Sequence, residues 1–162
     1  MSNVNPIPEG HAGVIAHLVV EGCANAIDFY KKAFGAEEIC RMPSPDGRLM
    51  HAEVRIGTSV LYLCDDFPEY CGGKARSPKA LGNTPITLTQ YVRNCDAAID
   101  RAVKAGATVT MPAMDMFWGD RYGTLIDPFG HSWAFATHIK DMTPEEMAKA
   151  AEAAFSGAGC ES

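Results

Sequence analysis

The chain has 162 residues, a length that suits a single domain, and its net charge is −6 at pH 7. This acidic balance argues against nucleic acid and against an anionic membrane surface as partners, because both attract basic faces. No apolar run approaches the ~20 residues of a membrane-spanning helix, and residues 1–10 lack the basic and apolar regions of a secretory signal, so we expect a cytoplasmic protein.

Cysteine usage favours free thiols. The cysteines form no C-x-x-C pair, and no histidine lies at zinc-finger spacing from them. Several are therefore expected to pack as small hydrophobic side chains, and a structural zinc site is not expected. The six are Cys23, Cys40, Cys64, Cys71, Cys95 and Cys160.

The first half of the chain predicts a β-α-β-β-β unit over residues 12–64. Apolar residues at helical spacing, followed by Gly35, predict the helix. The turn at residues 43–47 contains two prolines and an Asp-Gly pair, and it separates two strands. In chain order the predicted elements are a strand at 14–20, a helix at 23–34 and strands at 38–42, 48–56 and 59–64.

The strand at 48–56 alternates in a way that is typical of a strand with one buried face. One face carries Met50, Ala52, Val54 and Ile56, and the other carries Leu49, His51, Glu53 and Arg55. The second face is expected either to be open to water or to line a cleft.

The second half predicts a unit with the same order over residues 85–140, after a connecting loop at 65–84. Pro112 is expected to end its second strand, and Gly106 its helix. Thr143 and Pro144 then open a C-terminal helix at 141–157. The predicted elements of this unit are a strand at 85–92, a helix at 95–105 and strands at 108–111, 122–126 and 132–137.

The two units also repeat in sequence. Ala26-Ile27-Asp28 corresponds to Ala98-Ile99-Asp100 at an offset of 72, and Phe34-Gly35-Ala36 to Ala105-Gly106-Ala107 at an offset of 71. Such a repeat predicts an α+β fold in which two tandem β-α-β-β-β units form a pseudo-symmetric curved sheet around a cleft. We treat the whole chain, 1–162, as one domain.

These units, the segment 26–30 and the motif Asp127-Pro128-Phe129-Gly130-His131 resemble the vicinal oxygen chelate superfamily. That superfamily contains glyoxalase I, extradiol dioxygenases, and fosfomycin and bleomycin resistance proteins. The resemblance covers residues 12–140, and the stretches 117–123 and 127–131 are similar to its PhnB-like branch. The resemblance implies a divalent metal held by His, Gln or Glu from the first and last strands of each unit, and a homodimer.

Counting along the repeat locates the four ligand positions that the resemblance implies. The side chains at these positions do not bind a divalent metal, so no metal or other cofactor is expected. A slip of two residues gives only one histidine, His17, with Thr89, Leu63 and Ala136. One alternative stays open, a single divalent ion held by His17, His51 and Glu53. The four positions are Ile15, Leu61, Thr87 and Ala134.

The candidate catalytic residues are His51 and Glu53, about 7 Å apart along one strand face. A histidine beside a carboxylate can act as a general base. Both residues could instead belong to a solvated polar ladder. His17, on an apolar strand, is a candidate ligand-binding residue or a core histidine, and His51 is also a candidate for ligand binding.

The loop before the last hairpin is rich in aromatic residues. Its rings suit a planar ligand, and its arginine suits an anion. Alternatively Asp120 and Arg121 pair with each other to fix the loop, as the arginine Arg48 at the equivalent position suggests. The candidate ligand-binding residues here are Trp118, Asp120, Arg121 and Tyr122.

Four other side chains receive non-functional interpretations. His131 is expected to form a hydrogen bond within its turn, and Cys64 has no neighbour that would make it a nucleophile. His11 and His138 are expected to be solvated.

The sequence therefore predicts a protein that binds a small organic molecule without a catalytic metal. The alternative is a metal-dependent or histidine-based lyase, isomerase or dioxygenase of the same superfamily.

Overall fold

The structure is a computed structural model and describes residues 4–156. It contains both predicted units, so the α+β fold class is confirmed. The elements of the first unit are β1 (Ala16–Val20), α1 (Cys23–Phe34), β2 (Glu37–Pro43), β3 (Leu49–Ile56) and β4 (Ser59–Asp65). Its sheet has the order β1-β4-β3-β2, with β1 parallel to β4 and the other pairs antiparallel.

The segment that connects the units contains a 3-10 turn, Pro68–Tyr70, and a short helix, α2 (Pro78–Leu81). The second unit repeats the topology of the first, with the sheet order β5-β8-β7-β6. Its elements are β5 (Thr87–Tyr91), α3 (Cys95–Ala105), β6 (Thr108–Asp115), β7 (Asp120–Ile126) and β8 (Ser132–His138). The C-terminal helix α4 spans Pro144–Ser156, and the end predicted for it at residue 157 lies outside the described residues.

The helices α1 and α3 have the bounds that the sequence predicts, because their ends are fixed locally. Gly35 and Gly106 follow α1 and α3 in the left-handed conformation, with φ of 67° and 118°. Asn94 caps the start of α3 by accepting a hydrogen bond from the backbone N–H of Ala97. The cap of α1 comes from β4, where Asp65 Oδ1 accepts from the N–H groups of Gly22 and Cys23 at 2.8 and 2.9 Å.

Both units contribute to one hydrophobic core. The helix α1 packs on the first sheet, α3 packs on the second sheet, and the helices pack on each other. Aromatic rings fill the junction, where Phe34 of α1 lies 4.4 Å from Trp133 of β8 between ring centroids. Since these rings are buried, their packing holds the two units together.

A buried carboxylate reinforces this junction. Asp127, in the turn before β8, is 3% exposed and accepts hydrogen bonds from Tyr30 Oη at 2.8 Å and Trp133 Nε1 at 2.9 Å. Its other oxygen accepts from the backbone N–H groups of Phe129 and His131, both at 2.9 Å. Asp127 therefore links a side chain of α1 to the turn that precedes β8.

Some local predictions are wrong, including the buried position predicted for Met50, which is 48% exposed. The second strand of the second unit does not end at Pro112 but continues to Asp115. Proline is tolerated there because β6 is an edge strand with an irregular register between Met111 and Met114, so no ladder hydrogen bond is lost. Leu49, predicted on the polar face of β3, is 3% exposed, because the β2–β3 register shifts beside it.

We predict that Asp127→Asn lowers the free energy of unfolding by about 2–3 kcal/mol, because the amide nitrogen would face donors that then lack an acceptor. The free energy is measured by urea unfolding. Asp28→Asn, on the exposed side of α1, is the matched control and is expected to change it by less than about 0.5 kcal/mol. Equal effects of the two substitutions would contradict the role assigned to Asp127.

Candidate functional site

The candidate site lies on the side of the first sheet opposite to α1, which we call the open face. Leu18, Val54 and Leu63 point into the core, so the residues that alternate with them point to the open face. The open face of the second sheet is defined in the same way, as the side opposite to α3.

A row of polar side chains crosses the open face of the first sheet from edge to edge. His17 of β1 is in register with Tyr62 of β4, Tyr62 with Glu53 of β3, and Glu53 with Cys40 of β2. Directly opposed residues on one sheet face are close enough to interact. The fold therefore brings an imidazole, a phenol, a carboxylate and a thiol into one line.

Two further histidines converge on this row. His51 lies two residues before Glu53 on β3, and its Nε2 is 3.1 Å from Glu53 Oε1. His11, from the segment before β1, places its Nε2 3.1 Å from Glu53 Oε2. The ring of Tyr62 lies among the imidazoles, with centroids 4.8 Å from His51, 5.9 Å from His17 and 6.0 Å from His11.

The electrostatics of the cluster follow from these contacts. The hydrogen bond from His51, together with the one from His11, lowers the pKa of Glu53 below its usual range. Contact with the Glu9 carbonyl and then with Glu53 raises the pKa of His11. Partial burial of its ring, followed by the charges of His51 and Arg76, lowers the pKa of His17. Glu53 is thus an ionised acceptor, and His17 favours its neutral form.

A cavity of about 320 Å³ begins at His17 and extends toward the connecting segment. Its walls combine thioether, thiol and aromatic groups with one guanidinium. Arg76 forms no ion pair with any carboxylate among residues 4–156, whereas Arg48 pairs with Asp46 and Glu69 and stacks on Phe67. The side chains that line the cavity include His17, Met50, Cys64, Phe67, Tyr70 and Arg76.

The corresponding row of the second sheet carries no ionisable group. In register across β5, β8, β7 and β6 it consists of Thr89, Ala134, Thr124 and Met111. Because the two sheets share one topology, this difference lies in the side chains and not in the backbone.

The aromatic loop of the second unit forms a separate network around Asp120, which is 4% exposed. Asp120 accepts hydrogen bonds from Tyr91 Oη at 2.7 Å and from Trp118 Nε1 at 3.1 Å, and its other oxygen lies 2.9 Å from His138 Nδ1. Tyr122 packs against Trp118 at 5.7 Å between ring centroids. These polar groups satisfy one another, so the network holds the loop in place.

Arg121 points to the other side of the sheet from Asp120, so the predicted pairing of these two residues is wrong. Its guanidinium contacts Asp96 of α3 at 2.7 Å and Asp115 of β6 at 2.8 Å. The four candidates of the loop therefore do not form one group with His17, His51 and Glu53, and their role as ligand-binding residues stays a prediction.

The four positions that the repeat assigns to the superfamily's implied divalent metal do not fit a metal in this chain. Leu61 is 8% exposed and points into the core, and Ala134 lies on the open face with only a methyl group. Ile15 and Thr87 complete the four positions and provide no imidazole or carboxylate. A metal at these positions would lack every ligand that divalent ions prefer, so no step of chemistry is assigned to one there.

The remaining histidines form contacts beyond those that the sequence predicts. His11 is not solvated but contacts Glu53. His138 is exposed yet lies within 2.9 Å of both Asp120 and Asp141. The backbone N–H of His131 donates within its turn as predicted, while the ring reaches across the unit boundary, with Nε2 3.1 Å from the carbonyl of Val19.

Sequence reasoning missed His11, Cys40, Tyr62 and Arg76. Tyr62 could have been found by extending the alternation along the strand at 59–64. Cys40 could not, because a register shift after Glu38 decides which residue faces Glu53.

The two β-α-β-β-β units, with their two four-stranded sheets, define a class of α+β fold. The family model of the Glyoxalase/Bleomycin resistance protein/Dioxygenase superfamily matches residues 10–135. The chain therefore belongs to that superfamily.

Three proteins illustrate what the chain is similar to. An uncharacterized protein of Mycobacterium tuberculosis is 48% identical over 131 residues, which cover 81% of this chain and 77% of the relative. The crystal structure of TioX from Micromonospora sp. ML1 is 25% identical, covers 78% of this chain and all of TioX, and has a TM-score of 0.60. A structure of a PhnB protein from Bacillus cereus is 18% identical with a TM-score of 0.57, covers 76% of this chain and 98% of that protein, and supports the fold alone.

We predict that the Asp120 network loses stability in acid. Burial by itself would raise the pKa of Asp120, but the hydrogen bonds from Tyr91 and His138 outweigh it and lower the pKa. A lowered carboxyl pKa contributes stability above the unfolded-state value and loses it as the pH falls through the folded-state value.

The difference in unfolding free energy between wild type and Asp120→Asn is therefore expected to be largest near pH 7 and to shrink below about pH 4. Urea unfolding followed by tryptophan fluorescence measures this difference. A difference that stays constant between pH 7 and pH 3 would show that Asp120 is not ionised in the folded protein.

Proposed function

We propose that this protein binds a small organic molecule that is planar and carries an anionic group, in the cavity between His17 and Arg76. The observation that supports this proposal is the guanidinium of Arg76, which has no carboxylate partner among the described residues and stands at an aromatic-lined cavity. Small-molecule sites combine apolar walls with a few polar groups in this way.

The lining of the cavity determines the class of ligand. Tyr70 and the face of Phe67 that Arg48 leaves uncovered offer aromatic surface for a ring, and Met50 offers a polarizable thioether. Arg76 can bind a carboxylate or phosphonate group in bidentate geometry. His17, whose pKa is lowered, offers a neutral imidazole for a hydrogen bond.

An enzyme of the same superfamily is the second candidate, as a lyase, isomerase or dioxygenase. The observation that favours it is the contact between His51 Nε2 and Glu53 Oε1, which would orient the imidazole as a general base. Under this alternative the bound molecule presents an acidic C–H or O–H to His51. A slow change of the bound compound, followed by NMR of the ligand, would support it over simple binding.

The branch of the superfamily, the cellular location and the oligomeric state are also proposals. We place the protein in the PhnB-like branch and in the cytoplasm, as a homodimer without nucleic-acid or membrane partners. The edge strands β2 and β6 leave backbone groups available for pairing, which favours self-association. No helix within residues 4–156 is long and apolar enough to cross a membrane.

We predict that a thermal-shift screen of aromatic carboxylates and phosphonates yields a stabilising compound. Calorimetry with this compound should show that Arg76→Ala and His17→Ala each weaken binding about tenfold, equivalent to about 1.4 kcal/mol. Truncation at Arg76 keeps the backbone N–H that donates to Asp66, so the connecting segment is preserved.

Arg93→Ala is the matched control, since Arg93 is an exposed arginine that lies outside this cavity. It is expected to change the affinity by less than about twofold. The proposal fails if neither Arg76→Ala nor His17→Ala weakens binding, or if Trp118→Phe weakens it instead.

A further inference from the structure

Three side chains with metal-binding atoms meet at one end of the polar row. The thiol of Cys40, an imidazole nitrogen of His51 and a carboxylate oxygen of Glu53 all lie within 4.8 Å of one another. Among residues 4–156, no other group of three His, Cys, Asp or Glu side chains brings its ligand atoms this close together.

The backbone explains why the three atoms converge. His51 and Glu53 are two residues apart on β3 and so share the open face. The register shift after Glu38 then sets Cys40 of β2 directly opposite Glu53. Because β2 is an edge strand, the Cys40 side chain is accessible from solvent, while the Glu53 side chain is only 15% exposed.

Thiolate, imidazole and carboxylate together are a ligand set for a thiophilic divalent cation. In a tetrahedral zinc site, bond lengths of about 2.0–2.3 Å set the ligand atoms about 3.3–3.8 Å apart. Separations below 4.8 Å need only rotamer adjustments of about 1 Å to reach that geometry. Mg²⁺ and Ca²⁺ prefer oxygen ligands alone, so the thiol and the imidazole select against them.

His11 lies beside this group and contacts the other carboxylate oxygen of Glu53, although its nitrogens are farther than 4.8 Å from at least one of the three ligand atoms. Its Nε2 lies 3.1 Å from Glu53 Oε2, and its Nδ1 lies 2.8 Å from the carbonyl oxygen of Glu9. Histidine ligands of metals commonly donate the other ring N–H to a backbone carbonyl, which fixes the tautomer with a free lone pair toward the ion. His11 therefore has the second contact that a metal ligand requires.

We propose that Cys40, His51, Glu53 and His11 bind a thiophilic divalent cation such as Zn²⁺. The site differs from the positions at which the superfamily implies a metal, since its ligands come from β2, β3 and the segment before β1, and the second unit contributes none. It also goes beyond the proposed function, because the organic ligand is assigned to the neighbouring cavity at His17 and Arg76. The bound ion would fasten the segment that carries His11 onto the open face.

The test is a titration of the tag-free, reduced, EDTA-treated protein with Co²⁺. One equivalent is expected to produce a near-ultraviolet thiolate-to-cobalt charge-transfer band and the visible bands of tetrahedral Co²⁺, and Zn²⁺ should abolish both. Cys40→Ser should lose the charge-transfer band, and His51→Ala should weaken Co²⁺ binding by about tenfold or more. Cys71→Ser is the control for a partly accessible thiol outside the cluster and should keep the wild-type spectrum.

A second measurement uses the wild-type protein alone, so it does not depend on the folding of a variant. Zn²⁺ should protect Cys40 from alkylation by iodoacetamide while Cys71 remains reactive, as quantified by peptide mass spectrometry. The proposal is overturned if the charge-transfer band is absent from wild type or persists in Cys40→Ser, or if Zn²⁺ leaves the alkylation of Cys40 unchanged.

These outcomes are separable from those of the proposed function. Cys40→Ser is expected to bind the aromatic anion found in the screen with wild-type affinity, because Cys40 does not line that cavity. If wild type binds the metal and Cys40→Ser loses it while keeping the organic ligand, both proposals are supported. If wild type binds the organic ligand but no metal, only the metal site is overturned.

Discussion

The carboxylate of Asp127 accepts four hydrogen bonds, and through them two half-domains become one structure. Two come from Tyr30 of α1 and Trp133 of β8, and two come from the backbone of its own turn. Removing this acceptor would leave buried donors on both units without partners. The arrangement fixes β8 against the aromatic core, and His131 in the same turn reaches the carbonyl of Val19 on β1. The strand that carries His17 is therefore positioned from the opposite unit.

On this shared framework the two units have diverged at their open faces. The row His17, Tyr62, Glu53 and Cys40 of the first sheet is matched by Thr89, Ala134, Thr124 and Met111 in the second. The core sides remain alike, since both bury apolar residues under a helix. The ionisable side chains of these two rows thus lie in one half, whereas the resemblance to the superfamily implies metal ligands in both. The second unit instead uses its polar groups internally, around Asp120 and Arg121.

Local signals account for what could be predicted from the sequence. Gly35 and Gly106 mark helix ends because their left-handed conformation is accessible to glycine without strain, and alternation along β3 places His51 beside Glu53. The remaining site residues depend on contacts between distant segments. Cys40 is placed by a register shift, His11 by a segment outside the repeat, and Arg76 by the connection between the units. The strand was predicted to end at Pro112, but a strand at the edge of a sheet can contain proline, and the sequence does not show that β6 lies at an edge.

The central claim is that ligands bind at the open face of the first sheet and not at the aromatic loop of the second. Histidines report on both places, with His11, His17 and His51 at the first and His138 at the Asp120 network of the second unit. Imidazole ¹H–¹⁵N NMR spectra recorded during titration with the aromatic anion test the claim directly. We expect the resonances of His17 and its neighbours to shift while those of His138 stay in place. Shifts confined to His138 would contradict the account.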